Sequence, residues 1–146
     1  MNNQERFIRY LLLSPSSSIR QDFMGTVFET FELSPRGRGE KVTFFSDSDD
    51  TLEIIGIGET GNLDAMSRKL FERNVKIDGI LALLMSGDTD SLEQTQSLAR
   101  WLKASQQNIP MRTWVFESQS EIDKETAKKT LLALMTDHEE VLKANR

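Results

Sequence analysis

The chain contains no cysteine. That excludes disulfide staples, thiolate zinc sites and a cysteine nucleophile. Its single histidine, His138, stands in a charged stretch near the C-terminus. Neither a histidine-rich metal site nor a Ser-His-Asp triad finds its residues here. Basic excess is also missing: 18 Lys and Arg face 23 Asp and Glu, for a net charge of −5 and a pI near 5.0. With no basic patch, nucleic acid is not an expected partner. No apolar run approaches the ~20 residues needed to span a bilayer. Residues 7–13 are too short and too polar-flanked to act as a signal peptide. Met1-Asn2-Asn3 offers no myristoylation glycine, and the C-terminus no prenylated cysteine. The expectation is a soluble, cytoplasmic protein with no membrane span, no metal and no cofactor.

What remains is one ordinary domain covering residues 1–146, with 38% hydrophobic residues for a core and 28% charged residues for a surface. Phe7 to Leu13 (FIRYLLL) reads as a buried strand that stops at Ser14-Pro15. Asp22 to Leu33 reads as a helix, with Phe23, Val27, Phe28 and Phe31 on one face. Ser34 to Glu40 reads as a loop. Lys41–Ser46 and Thr51–Ile57, joined by the polar turn Asp47–Asp50, read as an antiparallel hairpin. A helix over Leu63–Asn74 follows. Ile77–Met85 (IDGILALLM) is the most apolar strand and so is expected at the centre. Then come a helix over Leu92–Ser105, a strand over Met111–Phe116, and a helix from Asp123 to Ala144, with a break expected near Thr136-Asp137.

Alternating strands and helices imply an α/β, three-layer domain. Its mostly parallel five-stranded sheet is expected to carry one antiparallel edge strand. Ligands in such sheets bind beyond the carboxyl ends of the strands. The loops that open at Ser14, Gly56, Met85 and Glu117 are therefore the ones to inspect.

Residues 14–21 lie where a phosphate-binding loop would lie. Matched to G-x-x-x-x-G-K-[ST], the first Gly falls on Ser14, the second on Ile19, the Lys on Arg20 and the Ser/Thr on Gln21. The spacing is kept and the chemistry is not. Gly lets backbone N–H groups approach phosphate, Lys reaches the β- and γ-phosphates, and the hydroxyl holds Mg²⁺. Ile19 is β-branched where close approach is needed. Arg20 keeps the charge in a bulkier form. Gln21 offers only an amide oxygen to a metal. Ser14, Ser16, Ser17, Ser18, Arg20 and Gln21 form a vestigial phosphate loop, the one candidate binding site. No catalytic and no metal residues stand out.

Over roughly residues 6–122 this layout resembles the Ras-like small GTPase superfamily. The likeness rests on the strand leading into the Ser14–Gln21 loop, on the hairpin, and on Asp78-Gly79-Ile80-Leu81-Ala82-Leu83-Leu84, similar to the family's central strand. The family's D-x-x-G would begin at Gly56, with Glu59 near the water-orienting position. Its base-recognition motif N-K-x-D would fall on Glu117-Ser118-Gln119-Ser120, and Ser34–Glu40 holds no switch Thr. The resemblance thus implies a degenerate member that lacks the nucleotide-binding motifs, a pseudo-GTPase and not an enzyme. Such a domain would act as a protein–protein interaction or regulatory subunit. It would pair with an active GTPase or a small regulatory subunit, as a homo- or hetero-oligomer, through residues 34–45 and 58–74.

Two alternatives stay open. One is a divergent nucleotide-binding GTPase-like protein that uses the Ser16–Ser18 amides and Arg20. The other is a degenerate response-regulator receiver domain, suggested by Met85-Ser86-Gly87-Asp88 and Ile109-Pro110 but lacking the phospho-acceptor Asp. Simpler readings stand beside these. Ser16–Ser18 would cap a helix. Asp47, Asp49 and Asp50 would form a turn rather than a calcium loop. Arg36 and Arg38 would lie in a basic loop. Glu121, Asp123 and Glu125 would favour a helix N-terminus, and Trp101 and Trp114 would be core.

Overall fold

In β1 (Phe7–Leu13) the apolar residues occupy both phases of the strand, and both phases are buried. Tyr10 and Leu12 belong to one core cluster, Leu11 and Leu13 to another. Only a strand covered by helices on both faces can be built this way. The computed structural model describes residues 7–14, 16–31, 34–36, 41–45, 51–57, 63–105, 108–121 and 123–144. After β1 come α1 (Ser17–Phe31), β2 (Ser34–Arg36), β3 (Lys41–Phe45), β4 (Thr51–Ile57), α2 (Leu63–Glu72), β5 (Gly79–Met85), α3 (Thr89–Ala104), β6 (Met111–Phe116) and α4 (Lys124–Ala144).

The sheet order is β2-β3-β4-β1-β5-β6. Four strands, β4-β1-β5-β6, are mutually parallel. β3 runs antiparallel to β4, and β2 antiparallel to β3. On one face Tyr10, Leu12, Ile54, Leu81 and Leu83 meet Ile19 and Phe23 of α1 and Ala127, Leu131 and Leu134 of α4. On the other, Leu11, Leu13, Ile80, Ala82 and Leu84 meet Leu70 and Phe71 of α2 and Leu98 and Leu102 of α3. Each fully buried Leu or Ile contributes roughly 1.5–3 kcal/mol. Two polar ties fix the register. Arg9 Nε donates to Glu53 Oε1 at 2.7 Å between paired positions of β1 and β4. Arg112 on β6 makes a forked pair with Asp137 on α4 at 2.6 and 3.1 Å.

Several expectations change. The sheet has six strands, not five, and the antiparallel strand β3 lies inside it rather than at its edge. The added strand β2 occupies Ser34–Arg36, where a loop was expected, and Pro35 is tolerated because the strand is at the edge. α1 begins at Ser17 rather than Asp22, because Ser16 caps it and Ser17 and Ser18 form its first turn. α4 runs unbroken through Thr136-Asp137, where Thr136 Oγ1 donates to the Leu132 carbonyl. Trp101 and Trp114 are half-buried at the margins of the two clusters, against Phe71 and Phe116. The expected turn Asp47–Asp50, Arg38 and Glu59 lie outside the described residues. Among the described residues no helix is long and apolar enough to cross a membrane.

Gly79 opens β5 directly opposite Tyr10 in the β1–β5 register. A Cβ there would lie 2.9 Å from two carbons of the Tyr10 ring and 3.2 Å from Leu134 Cδ2. Gly79→Ala is therefore expected to cost about 1–3 kcal/mol of stability, read as a lower urea midpoint. An unchanged midpoint would mean that Tyr10 and α4 yield freely.

Candidate functional site

The carboxyl ends of β1, β4, β5 and β6 bring Ser14, Ile57, Ser86–Asp88 and Glu117–Glu121 to one end of the sheet. Ser14 is fully buried. Its N–H donates to the Ile57 carbonyl at 3.0 Å, continuing the β1–β4 pairing past the strand. Its hydroxyl accepts from Ser16 N–H at 3.4 Å. Ser16 Oγ accepts from Ile19 N–H at 3.3 Å, and the Ser16 carbonyl receives Arg20 N–H at 3.2 Å. Ser16 is thus the N-cap of α1.

This geometry decides what the Ser14–Gln21 segment can do. In the phosphate-loop pattern, positions 17–19 belong to an anion-wrapping loop; here they are already helix. Ile19 is turned into the core beside Phe23. Arg20 is 1% exposed, and its guanidinium donates to the Ser14 carbonyl. The cation that would reach a phosphate instead holds the strand-to-helix turn together. Ser18 and Gln21 are exposed. Gly56, at the D-x-x-G position, is buried opposite Leu12 and brings no carboxylate.

The other two turns are closed in the same manner. After β5, Ser86 N–H donates to the Phe116 carbonyl at 2.8 Å, and Gly87 takes a φ of 90°, a conformation that suits glycine. Asp88 then caps α3 by accepting from Ser91 N–H at 3.1 Å. After β6, the Glu121 carboxylate accepts from the N–H groups of Glu117 and Ser118 at 2.5 and 2.8 Å. Asp123 caps α4 through Thr126 N–H at 2.8 Å, and that bond holds its carboxyl below the usual carboxylate range. The amides of Ile19, Ser91, Glu117, Ser118 and Thr126 all have side-chain acceptors from the chain itself. Glu121, rather than acting through a helix dipole, closes a 3₁₀ turn over Gln119–Glu121, and its spacing of four from Glu117 is the sequence signal for it.

No protein-family model matches this chain, and no curated protein matches its sequence. Among solved structures it is similar to a conserved protein of unknown function, AF0625, at 11% identity and a TM-score of 0.43. That likeness covers 92% of this chain and 64% of the other. It is also similar to the Campylobacter jejuni 5'-methylthioadenosine/S-adenosyl homocysteine nucleosidase, at 11% identity and a TM-score of 0.32, over 76% of this chain and 66% of that one. The chain thus spans less than two thirds of the length of either. Likenesses at these scores carry no functional argument.

If Arg20 is a buried staple, Arg20→Ala leaves both a cavity and an unmet carbonyl. The expected loss is about 2–4 kcal/mol in urea denaturation. A surface-exposed phosphate ligand would instead change stability by less than ~0.5 kcal/mol.

Proposed function

We propose that this chain is a GTPase-like domain that has given up nucleotide chemistry and works by binding another protein. The observation that carries this reading is the inward turn of Arg20 onto the Ser14 carbonyl. The residue that would have held phosphate is spent on the fold. The amides of Ile19 and Arg20 are likewise met from within, by the Ser16 hydroxyl and carbonyl.

The GTPase-like part draws support from the β3–β4 pair. An antiparallel pair inserted ahead of α2 in an otherwise parallel sheet suits the small-GTPase layout. A strictly alternating receiver domain has no place for it. The absence of hydrolysis follows from the missing chemistry, since each lost catalytic contact is worth roughly 10²-fold or more.

The partner would be an active GTPase or a small regulatory subunit. Of the surfaces expected for it, 34–45 and 58–74, residues 37–40 and 58–62 lie outside the described residues, and the described surface best suited to it is β6. This strand ends the sheet, Val115 on it is 50% exposed, and Leu132 on the adjoining α4 is 41% exposed. A shallow groove along Arg112–Val115 and Lys129–Ala133 runs beside it. An open strand edge next to exposed apolar side chains suits strand addition by a partner.

Titration with GTP, GDP and ATP, with and without Mg²⁺, tests the nucleotide half of this reading. No rise in Tm is expected. A ligand present at a hundred times its Kd would add ~2.7 kcal/mol, so an upward shift with any of the three nucleotides would overturn the proposal in favour of a divergent nucleotide binder.

A further inference from the structure

The opposite end of the sheet is built differently. Where β1 and β5 begin, they meet α4 around an open cavity of about 190 Å³. Its floor is polar and buried. Asp78, just ahead of β5, is clamped to β1: its N–H donates to the Arg9 carbonyl at 2.8 Å, and its Oδ2 accepts from Arg9 N–H at 2.9 Å. Those bonds leave Oδ1 turned towards Lys76 Nζ at 3.9 Å and His138 Nε2 at 3.6 Å, both outside hydrogen-bond range. Beside it lies Tyr10, 2% exposed, with its ring edge-on to His138. Among the described residues, Tyr10 Oη is the buried side-chain polar atom that has no hydrogen-bond partner. Burial, and then the Asp78 and Glu139 carboxylates, push its phenol above the ordinary range, so it stays a neutral hydroxyl able to donate and accept.

The walls are apolar. Phe7 and Leu142 are each 48% exposed and line the cavity with Met135. An orphaned hydroxyl costs free energy unless something meets it. A group that meets both must donate to Asp78 Oδ1, a carboxylate oxygen, while Tyr10 Oη, a neutral hydroxyl, can either accept from it or donate to it. The two carboxylates near the phenol favour a cation there and repel an anion. Lys76 already shows the preference: its ammonium leans towards Asp78 from a side chain that is 83% exposed. It stays at the rim and leaves the Tyr10 hydroxyl unmet. For size, a cavity of ~150 Å³ accepts benzene, and this one is slightly larger.

We propose that this cavity is a binding site for a small primary amine. Its ammonium would hydrogen-bond Tyr10 Oη and Asp78 Oδ1, and its short hydrocarbon tail would cover Phe7, Met135 and Leu142. The site lies at the far end of the strands from the Ser14–Gln21 segment, so it does not depend on the reading of the protein as GTPase-like.

Amide chemical shifts of the full chain, titrated separately with n-pentylammonium, benzylammonium, n-pentanol and n-pentanoate, test it. Saturable shifts centred on Phe7, Tyr10, Asp78 and His138 are expected with both amines, at a Kd on the order of 1 mM. The alcohol should bind at least about tenfold more weakly, since it brings no charge, and the carboxylate should not bind. Lys76→Ala, a surface change, should tighten the amine about three- to tenfold by removing its internal competitor. Tyr10→Phe should weaken it roughly three- to tenfold. Equal binding of pentanol would mean a merely apolar groove, and preference for pentanoate a basic one. Either result overturns the proposal, as does the absence of any saturable shift with the amines, or an amine affinity unmoved by both variants.

Discussion

The rest of the structure depends on the pairing of β1 with β5, two strands buried on both faces and locked in one register. Tyr10 stands opposite Gly79, Leu11 opposite Ile80, Leu12 opposite Leu81. A slip of one residue would send Tyr10 and Leu12 to the α2–α3 side and Leu11 and Leu13 to the α1–α4 side. It would also bring a side chain under the Tyr10 ring, where only Gly79 leaves room. Asp78 repeats the constraint in polar form, since both its N–H and its carboxylate are tied to Arg9. The hydrophobic contacts supply the stability, and these few close approaches select one alignment among several apolar ones.

Once that alignment is set, the two ends of the parallel strands acquire different characters. At the carboxyl ends the chain turns at once into helices or tight turns, and short polar side chains close each turn: Ser16, Asp88, Glu121 and Asp123. Nucleotide-binding sheets leave such amides for a ligand. Here the amides of Ile19, Ser91, Glu117, Ser118 and Thr126 are met by side chains of the chain itself. At the amino ends the strands start beside the last turns of α4, where Phe7, Tyr10, Asp78, Met135, His138 and Leu142 line a cavity.

What could be read from the sequence follows the same division. The strands and helices around β1 and β5 announced themselves as apolar runs and stripes, because two-sided burial writes a continuous signal. Ser34–Arg36 did not. A three-residue strand containing Pro35 looks like a loop, and only the neighbouring β3 makes it a strand. The start of α1 differs in a more instructive way. The serines ahead of Asp22 read as a cap, and Ser16 is one, but the cap sits at the first of them, so Ser17 and Ser18 form the first turn of the helix. The Tyr10–Asp78–His138 cluster was invisible, because Tyr10 reads as one more apolar strand position and His138 as part of a charged helix. Their meeting is a product of the β1–β5 register and the crossing of α4.

The contrast between Arg20 and Tyr10 shows how burial separates structure from function in this chain. Both side chains are almost wholly enclosed. Arg20 carries a full charge, and its guanidinium is met within the chain, where it donates to the Ser14 carbonyl. A buried charge that is satisfied within the chain has little left to offer a ligand. Tyr10 carries a neutral hydroxyl, and enclosing it unpaired costs far less than enclosing an unpaired charge. That difference lets a fold keep an orphaned hydroxyl beside a clamped carboxylate, under apolar walls that are themselves half exposed. The residue type that resembles a motif is consumed by folding, and the one that resembles nothing in particular retains unused bonding capacity. On physical grounds, the search for a ligand therefore starts at the amino end of the sheet, not at the carboxyl end where strand-and-helix domains of this kind ordinarily bind.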